Sequence, residues 1–165
     1  MHTMSRYASP VGAGQVEVPA RTDELRWTFP ALPIHARQAR IMMESWLCSR
    51  RPGARERAYE ALIVFSELVT NSVLHGAGPV MVHARLVGRR LQCEVTDCCA
   101  QLPVLLDAEP EDEHHRGLSL VEALTADWWV REAPGGGKST CFLVDLGTTD
   151  DVPAAEAPVS RLPAP

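Results

Sequence analysis

The chain has 165 residues, a net charge of −5 and a pI of about 5.7, which argue against a strongly basic nucleic-acid-binding protein. Hydrophobic residues make up 45% of it, enough for one domain with a core of its own, and no apolar run reaches the roughly 20 residues that a transmembrane helix needs. An odd number of cysteines, five, and an N-terminus without the apolar stretch of a secretory signal predict a reduced, cytoplasmic protein.

Both ends of the chain are predicted to be unstructured. Residues 1–23 are rich in Gly, Pro, Ala and Ser, and residues 148–165 mix Pro and Ala with acidic residues. Neither segment can bury enough apolar surface to offset the entropy that it would lose on ordering. The folded domain is therefore expected to span residues 24–147.

The first half of this domain predicts one strand and two helices. Apolar and polar residues alternate at 25–29, which indicates a strand. A helix begins at Pro33, because proline is favoured in a first helical turn. Its expected buried side consists of Ile34, Ala39, Ile41, Met42, Trp46 and Leu47. After a break at 51–53, a longer helix covers about 55–76. Its apolar side consists of Ala58, Leu62, Phe65, Leu68, Val69 and Val73.

The second half predicts a hairpin, a short helix and two more strands. These elements are strands at 79–87 and 90–97, a helix at 117–125 and strands at 127–132 and 139–146. Short turns between neighbouring strands indicate a mixed, mostly antiparallel sheet with the helices on one face, an α/β two-layer sandwich. Trp128 and Trp129 are expected on opposite faces of their strand, one in the core and the other available to a partner.

Three polar residues share one stripe of the long helix. Glu67, Asn71 and His75 follow one another at intervals of four residues, which places them in one row. A carboxylate can take a proton from a hydroxyl, and an amide oxygen can bind Mg²⁺ that phosphates and water also coordinate. The row therefore suits a phosphoryl-transfer site. A solvated polar face, which most surface helices carry, is the competing interpretation.

The segment that contains this row, ELVTNSVLH (67–75), resembles the N-box of the GHKL ATPases, which include gyrase and the histidine kinases. More closely, it resembles the stand-alone bacterial anti-sigma-factor serine/threonine kinases. Three later stretches resemble further boxes of the family in the expected order: VTDCCAQLP (95–103), HRGLSLVEALTADWWV (115–130) and GGGKSTCFLVDL (135–146). The resemblance covers residues 24–146 and implies a Bergerat-type ATP-binding fold.

The resemblance implies roles for the matching residues. Glu67 would be the general base or the carboxylate that orients water, and Asn71 would hold Mg²⁺ against the phosphates of ATP. Asp97 would accept a hydrogen bond from the exocyclic amine of adenine. Ser139 would lie near the adenine, at a position where the family has a threonine.

A second group of residues corresponds to the lid of the family's nucleotide site. Gly117 would let the backbone approach phosphate, and Leu118 lies at the beginning of the following helix, whose amides would point at the anion. Arg116 is the candidate for contact with the γ-phosphate. The sequence departs from the family at Cys99, where the box usually reads Asp-x-Gly, and at His114–His115, where the lid usually has glycines.

The leading functional hypothesis is an ATP·Mg²⁺-binding regulatory protein that sequesters a sigma factor and phosphorylates a Ser or Thr of an antagonist protein. The family suggests homodimers, and no direct contact with nucleic acid or membrane is expected. The alternative is a non-catalytic partner-binding module with weak or absent nucleotide binding, which the departures at Cys99 and His114–His115 motivate. A sensor histidine kinase or an ATPase module of a larger machine is less expected, because no sensor, phosphoacceptor helix or transducer domain accompanies the boxes.

Two other motifs have competing interpretations. GGGKST could belong to a P-loop, but that motif needs a glycine where this chain has Glu132, and a helix where STCFLVDL is strand-like. Cys98 and Cys99 could bind zinc together with His114–His115, but the C-x₂-C spacing of structural zinc sites is absent. A Gly-rich turn and surface thiols are therefore the favoured interpretations.

Overall fold

The structure, a computed structural model, describes residues 16–17, 23–99 and 113–147; for 16–17, 113–116 and 118 it describes the backbone alone. In chain order, its elements are β1 (Val16–Glu17), β2 (Glu24–Phe29), α1 (Pro33–Arg50), α2 (Arg55–His75), β3 (Val80–Val87), β4 (Arg90–Asp97), α3 (Glu113–Leu124), β5 (Asp127–Glu132) and β6 (Lys138–Asp145).

The described strands form one sheet in the order β1-β2-β3-β4-β6-β5. Every pairing between neighbours in this sheet is antiparallel. The helices pack on one face, so the predicted α/β two-layer sandwich is confirmed. Val16–Glu17 pairs with β2, so the expectation that residues 1–23 lack structure is wrong at these two positions. The rest of that segment up to residue 22, and residues 148–165, lie outside the described residues.

The core lies between the helices and one face of the sheet. Its largest fully buried side chains are Phe29, Val80, Leu91, Val95, Phe142 and Val144 from the strands and Met43, Leu47, Val64, Phe65, Val69 and Val121 from the helices. Trp128 packs against this core, while Trp129 pairs with Cys141 across β5 and β6 and lies on the other face, as strand alternation requires. The predicted division of roles between the two tryptophans is therefore confirmed for the core member.

The buried side of α1 differs from the predicted one. Ile34 and Ile41 are each 55% exposed, whereas His35 and Met43 are buried. The His35 ring lies 2.9 Å, Nδ1 to O, from the carbonyl of Pro30, which satisfies a polar atom that faces the core. On α1, Arg40 donates hydrogen bonds to the Leu62 carbonyl and to a serine hydroxyl of α2. These bonds fix the rotation of the helix and leave the two isoleucines outside.

The structure describes the state of the cysteines and the character of the helices. All five cysteines are free thiols; Cys93 and Cys141 are buried, and Cys48 and Cys98 are exposed. Within the part of the chain that the structure describes, none of the helices combines the length and the apolar character that crossing a lipid bilayer requires.

Candidate nucleotide site

Three chain segments meet at one end of the sheet: the residues after α2, the end of β4 and the turn before β6. A Cβ on Gly76 would lie 2.9 Å from Cγ of Asp97, and a Cβ on Gly137 would collide with the Asp97 carbonyl and lie 2.7 Å from Cα of Cys98. Gly137 also has a φ of 92°, which a residue with a side chain rarely adopts. The Cys98 amide donates to the Ala77 carbonyl at 2.7 Å. The two glycines thus allow the three segments to close around Asp97.

Asp97 is the most deeply buried carboxylate of this region, with 1% of its surface exposed. Its Oδ1 accepts hydrogen bonds from the Cys99 amide at 2.9 Å and from Nζ of Lys138 at 3.0 Å. Its Oδ2 is buried, and no donor in the described part of the chain reaches it. A buried carboxylate oxygen without a donor is costly, so this atom marks a place for a donor from a ligand. The exocyclic amine of adenine is such a donor, and the residues present fit it.

Cys99 supports this arrangement through its backbone. The residue stands where the family's box usually has glycine, yet the amide that it contributes to Asp97 is present in any amino acid except proline. The bond runs from residue 99 back to the side chain of residue 97, the geometry of an Asx turn. The substitution of glycine by cysteine therefore preserves the contact that orients the carboxylate.

Lys138 is the site residue that sequence reasoning missed. It is the first residue of β6 and pairs with Asp97 across the ladder, so both side chains leave the sheet on the same face. Only 13% of its side chain is exposed. Because β6 is a strand and Lys138 binds a carboxylate, GGGKST is a turn into a strand and not a P-loop. It is the only lysine of the chain, but its place opposite Asp97 depends on the register between β4 and β6, which the sequence does not show.

Ser139 is placed differently from the expectation. Its side chain is fully buried, and its hydroxyl lies 2.7 Å from that of Thr96. Both residues neighbour the Asp97–Lys138 pair in sequence, so strand alternation directs their side chains to the opposite face of the sheet. The role beside adenine that the resemblance gave to Ser139 has no support from its side chain, which lies on the face of the sheet away from Asp97.

The face of the sheet that carries Ser139 also carries an ion pair and a buried thiol. Arg131 pairs with Glu94 at 2.6 Å. Burial, and then the charge of Glu94, raise the pKa of the neighbouring Cys141 thiol to about 11. A thiol with such a pKa remains protonated near neutral pH and is a poor nucleophile. This cluster therefore supports the sheet and offers no reactive group.

The three polar residues predicted to lie in one row all belong to the single helix α2. Glu67 and Asn71 are half-buried and His75 is exposed. Glu67 lies nine residues before Gly76, which corresponds to about 14 Å along a helix. This separation is comparable to the length of an extended nucleoside triphosphate. A nucleoside triphosphate with its base at Asp97 is therefore long enough to reach Asn71 and Glu67.

α3 lies over the first part of this row. A Cβ on Gly117 would be 3.0 Å from Oε2 of Glu67, so the helix backbone rests on the carboxylate. α3 begins at Glu113, four residues earlier than predicted, so Gly117 and Leu118 lie one turn inside it. The free amides of a helix belong to its first turn, whereas the amides of Gly117 and Leu118 lie further along α3, so the contact of these two residues with phosphate stays a prediction. The side chains of Arg116 and Leu118 lie outside the described residues.

Asn71 is the predicted ligand of Mg²⁺ on α2. No group of three or more His, Cys, Asp and Glu side chains that could hold a metal lies within 16–17, 23–99 and 113–147. The side chains of His114–His115 lie outside the described residues, so the zinc alternative is not tested there. Mg²⁺ bound with a nucleotide needs only one or two protein ligands beside phosphate and water, and the Asn71 amide oxygen is a suitable one.

Comparison with known proteins identifies the family. A family model described as "Histidine kinase-like ATPase domain" matches residues 29–142, which is more than half of the chain. A comparison with curated proteins finds no match. The matched range runs from the end of β2 into β6 and includes Glu67, Asn71, Asp97 and Lys138. The chain belongs to the histidine kinase-like ATPase domain family.

Proposed function

We propose that the protein is an ATP·Mg²⁺-binding regulator of the anti-sigma-factor type, which binds a sigma factor and phosphorylates a Ser or Thr of an antagonist protein. The observation that carries the nucleotide-binding part is Oδ2 of Asp97, a buried acceptor without a donor in the described structure. The family membership supports ATP as the ligand. The assignment of the two partner proteins rests on the resemblance of four sequence boxes to this group of kinases.

The transfer step assigns one task to each residue of the α2 row. When bound, Mg²⁺ would neutralise charge on the phosphates, and the Asn71 amide oxygen would hold it. Glu67 receives the proton of the antagonist's hydroxyl as that oxygen bonds to the γ-phosphorus. The bond to the β-phosphate oxygen breaks and leaves ADP, so the phosphoryl group moves from ATP to the protein acceptor.

A non-catalytic binding module of the same fold is the second candidate. The observation in its favour is the ion pair of Asp97 with Lys138, which occupies one oxygen of the carboxylate that would bind the base. If the ammonium closes the pocket, nucleotide binding is weak and the domain acts through its partner surface alone.

Titration with ATP·Mg²⁺ separates the two candidates. ATP at about 100 times its Kd should add roughly 2.7 kcal/mol to the free energy of unfolding, visible as a rise in melting temperature and as heat in calorimetry. Absence of any shift at millimolar ATP would support the non-catalytic module. Equal affinity for ATP and GTP would contradict the contact between Asp97 and the amine.

Asp97→Asn is the variant that tests the contact itself. Two donors, the Cys99 amide and Lys138, meet at the Oδ1 position, so the new amide should place its oxygen there. Its NH₂ group would then replace Oδ2 and meet the amine of adenine donor to donor. We expect ATP affinity to fall at least about 10-fold, while affinity for inosine triphosphate, which has a carbonyl at that point, falls less.

A further inference from the structure

The pair formed by Asp97 and Lys138 presents an acceptor and a donor side by side. We propose that Lys138 determines base specificity by donating a hydrogen bond to N1 of adenine, while Oδ2 of Asp97 accepts one from the N6 amine. This inference rests on the proposed nucleotide binding and adds to it a direct contact from the lysine. It gives a function to a residue that the resemblance leaves without one.

The geometry supplies both groups at one place. Asp97 and Lys138 are cross-strand partners of β4 and β6, and Nζ lies 3.0 Å from Oδ1. An ammonium carries three donors, of which Oδ1 takes one in the described structure. Oδ2, on the same carboxylate, has no donor from the described residues. The Lys138 side chain is 13% exposed and the Asp97 side chain 1%, so both lie in a largely desolvated site where hydrogen bonds discriminate strongly.

This donor and acceptor match the edge of adenine. Adenine offers an N–H donor at N6 beside an acceptor at N1. Hypoxanthine and guanine reverse both, with a carbonyl at position 6 and an N–H at N1. If either base bound in the same orientation as adenine, its carbonyl oxygen would face the Asp97 carboxylate. Its N1–H would face the Lys138 ammonium. A site whose buried polar groups are left unpaired by the wrong ligand rejects it strongly.

A lysine suits this task better than an arginine. Fifteen of the 16 basic residues of the chain are arginine, and Lys138 is the single exception. A guanidinium forms two parallel hydrogen bonds to both oxygens of a carboxylate, whereas an ammonium acts as a point donor. Arginine at this position could therefore satisfy Oδ2 and remove the acceptor for N6. Lys138 donates to Oδ1 at 3.0 Å, and Oδ2 has no donor among the described residues, so it remains for the ligand.

A chemical double-mutant cycle tests the contact. Affinities of ATP and of 1-deaza-ATP, in which N1 is replaced by C–H and the N6 amine is kept, are measured by calorimetry for the wild type and for Lys138→Met. We expect the wild type to bind 1-deaza-ATP about 10- to 100-fold more weakly than ATP. In Lys138→Met the two affinities should agree within about a factor of three, because the donor to N1 is gone. A wild-type ratio near one, or a ratio that persists in Lys138→Met, would overturn the proposal.

A matched control removes a cation at the other end of the same strand pair. Arg89 pairs with Asp145 at 2.9 Å, and both side chains are more than one third exposed. Arg89→Met should keep the wild-type ratio of the two affinities. Thermal unfolding without nucleotide shows whether each variant folds. If Arg89→Met also bound ATP and 1-deaza-ATP equally well, positive charge near the sheet, and not a contact with N1, would set the specificity. The proposal would then fail.

A second measurement needs no substitution. Because Lys138 is the only lysine, acetylation by an amine reagent followed by peptide mass spectrometry reports on this residue separately from the N-terminal amine. Saturating ATP should slow its acetylation at least about 10-fold, since a hydrogen-bonded, buried amine is not a free nucleophile. An unchanged rate would overturn the inference even if Lys138→Met does not fold.

The outcomes distinguish this inference from the proposed function. A wild type that binds no ATP refutes both. A wild type that binds ATP and selects it over inosine triphosphate, but shows a ratio of one for 1-deaza-ATP and no protection of Lys138, retains the proposed function and refutes the role of the lysine.

Discussion

The carboxylate of Glu67 and the backbone of Gly117 are in close contact, so that a Cβ at position 117 would lie 3.0 Å from Oε2. The contact joins the proposed base on α2 to the helix that follows the lid. Because Glu67 is half-buried and its end can rotate, the helix limits which positions the carboxylate adopts. The two residues therefore place the backbone of α3 against the carboxylate that we propose as the proton acceptor.

Gly117→Ala should separate stability from transfer. Alanine replaces glycine inside a helix, which should raise the free energy of unfolding by about 0.5–1 kcal/mol. The new methyl group must displace the Glu67 carboxylate by a few tenths of an ångström, so we expect slower phosphate transfer at unchanged ATP affinity. Melting curves and phosphate incorporation measure the two effects.

Gly53→Ala is the matched control, because nothing lies within 4 Å of a Cβ at that turn position. It should leave phosphate transfer at the wild-type rate. Transfer by Gly117→Ala at the wild-type rate would show that the position of the carboxylate does not limit the reaction.

Glu67→Gln tests the proton acceptor directly. The amide keeps the shape of the side chain and removes its basicity, so phosphate transfer to an antagonist protein should fall roughly 10²–10⁴-fold. ATP affinity should stay within a factor of about three, because a base contributes mainly in the transition state. Glu60→Gln, whose carboxylate pairs with Arg57 on the same helix, is the control. Equal transfer rates for wild type and Glu67→Gln would remove Glu67 from this role.

The long helix α2 was predictable because the burial of a single apolar stripe determines its orientation. Its apolar residues occupy one stripe over about four turns. Five of the six predicted core positions are buried, and the sixth, Val73, is half-buried. α1 was less predictable, since its residues are apolar on more than one side. The buried side there is decided by contacts from other elements, the bonds of Arg40 to α2 and of His35 to the Pro30 carbonyl, which a periodic pattern does not contain.

In the candidate site, too, one residue was predictable from the sequence and another was not. Asp97 was predicted because the stretch VTDCCAQLP around it resembles a box of the family. Lys138 did not, because its meaning depends on the register between β4 and β6, which places it opposite Asp97. A shift of one residue in that register exchanges the faces of Lys138 and Ser139, and the sequence offered no means of choosing between them. The beginning of α3 at Glu113 was not predicted because its first turn consists of polar residues, which give no apolar periodicity.

Asn71→Ala should abolish the Mg²⁺ dependence of ATP binding without loss of fold. Asn71 is half-buried on the polar side of α2, so its truncation opens no cavity in the core and the melting temperature should change little. Calorimetric titrations with and without Mg²⁺ measure the effect, and Thr70→Ala at the exposed neighbouring position is the control. If the variant retains the full difference between the two titrations, another group binds the metal.

His83 predicts a pH dependence of stability that is separate from the nucleotide site. Burial lowers the pKa of this imidazole, Arg26 and more weakly Arg85 lower it further, and Glu24, 3.5 Å from Nε2, opposes them. With the folded pKa below the unfolded value of 6.5, the unfolded chain takes up the proton first as the pH falls. The stability that this residue contributes is therefore complete above the unfolded pKa and is lost as the pH falls towards the folded one.

His83→Gln removes that proton uptake and keeps a polar side chain at the same place. We expect the free energy of unfolding to fall less in His83→Gln than in the wild type between about pH 7.5 and pH 5.5, as measured by urea denaturation at each pH. Above about pH 7.5 the difference between the two proteins should not vary with pH, because His83 is then neutral in both states. Parallel curves through the whole range would show that His83 titrates alike in the folded and unfolded chains, and would refute the effect assigned to its burial beside Arg26.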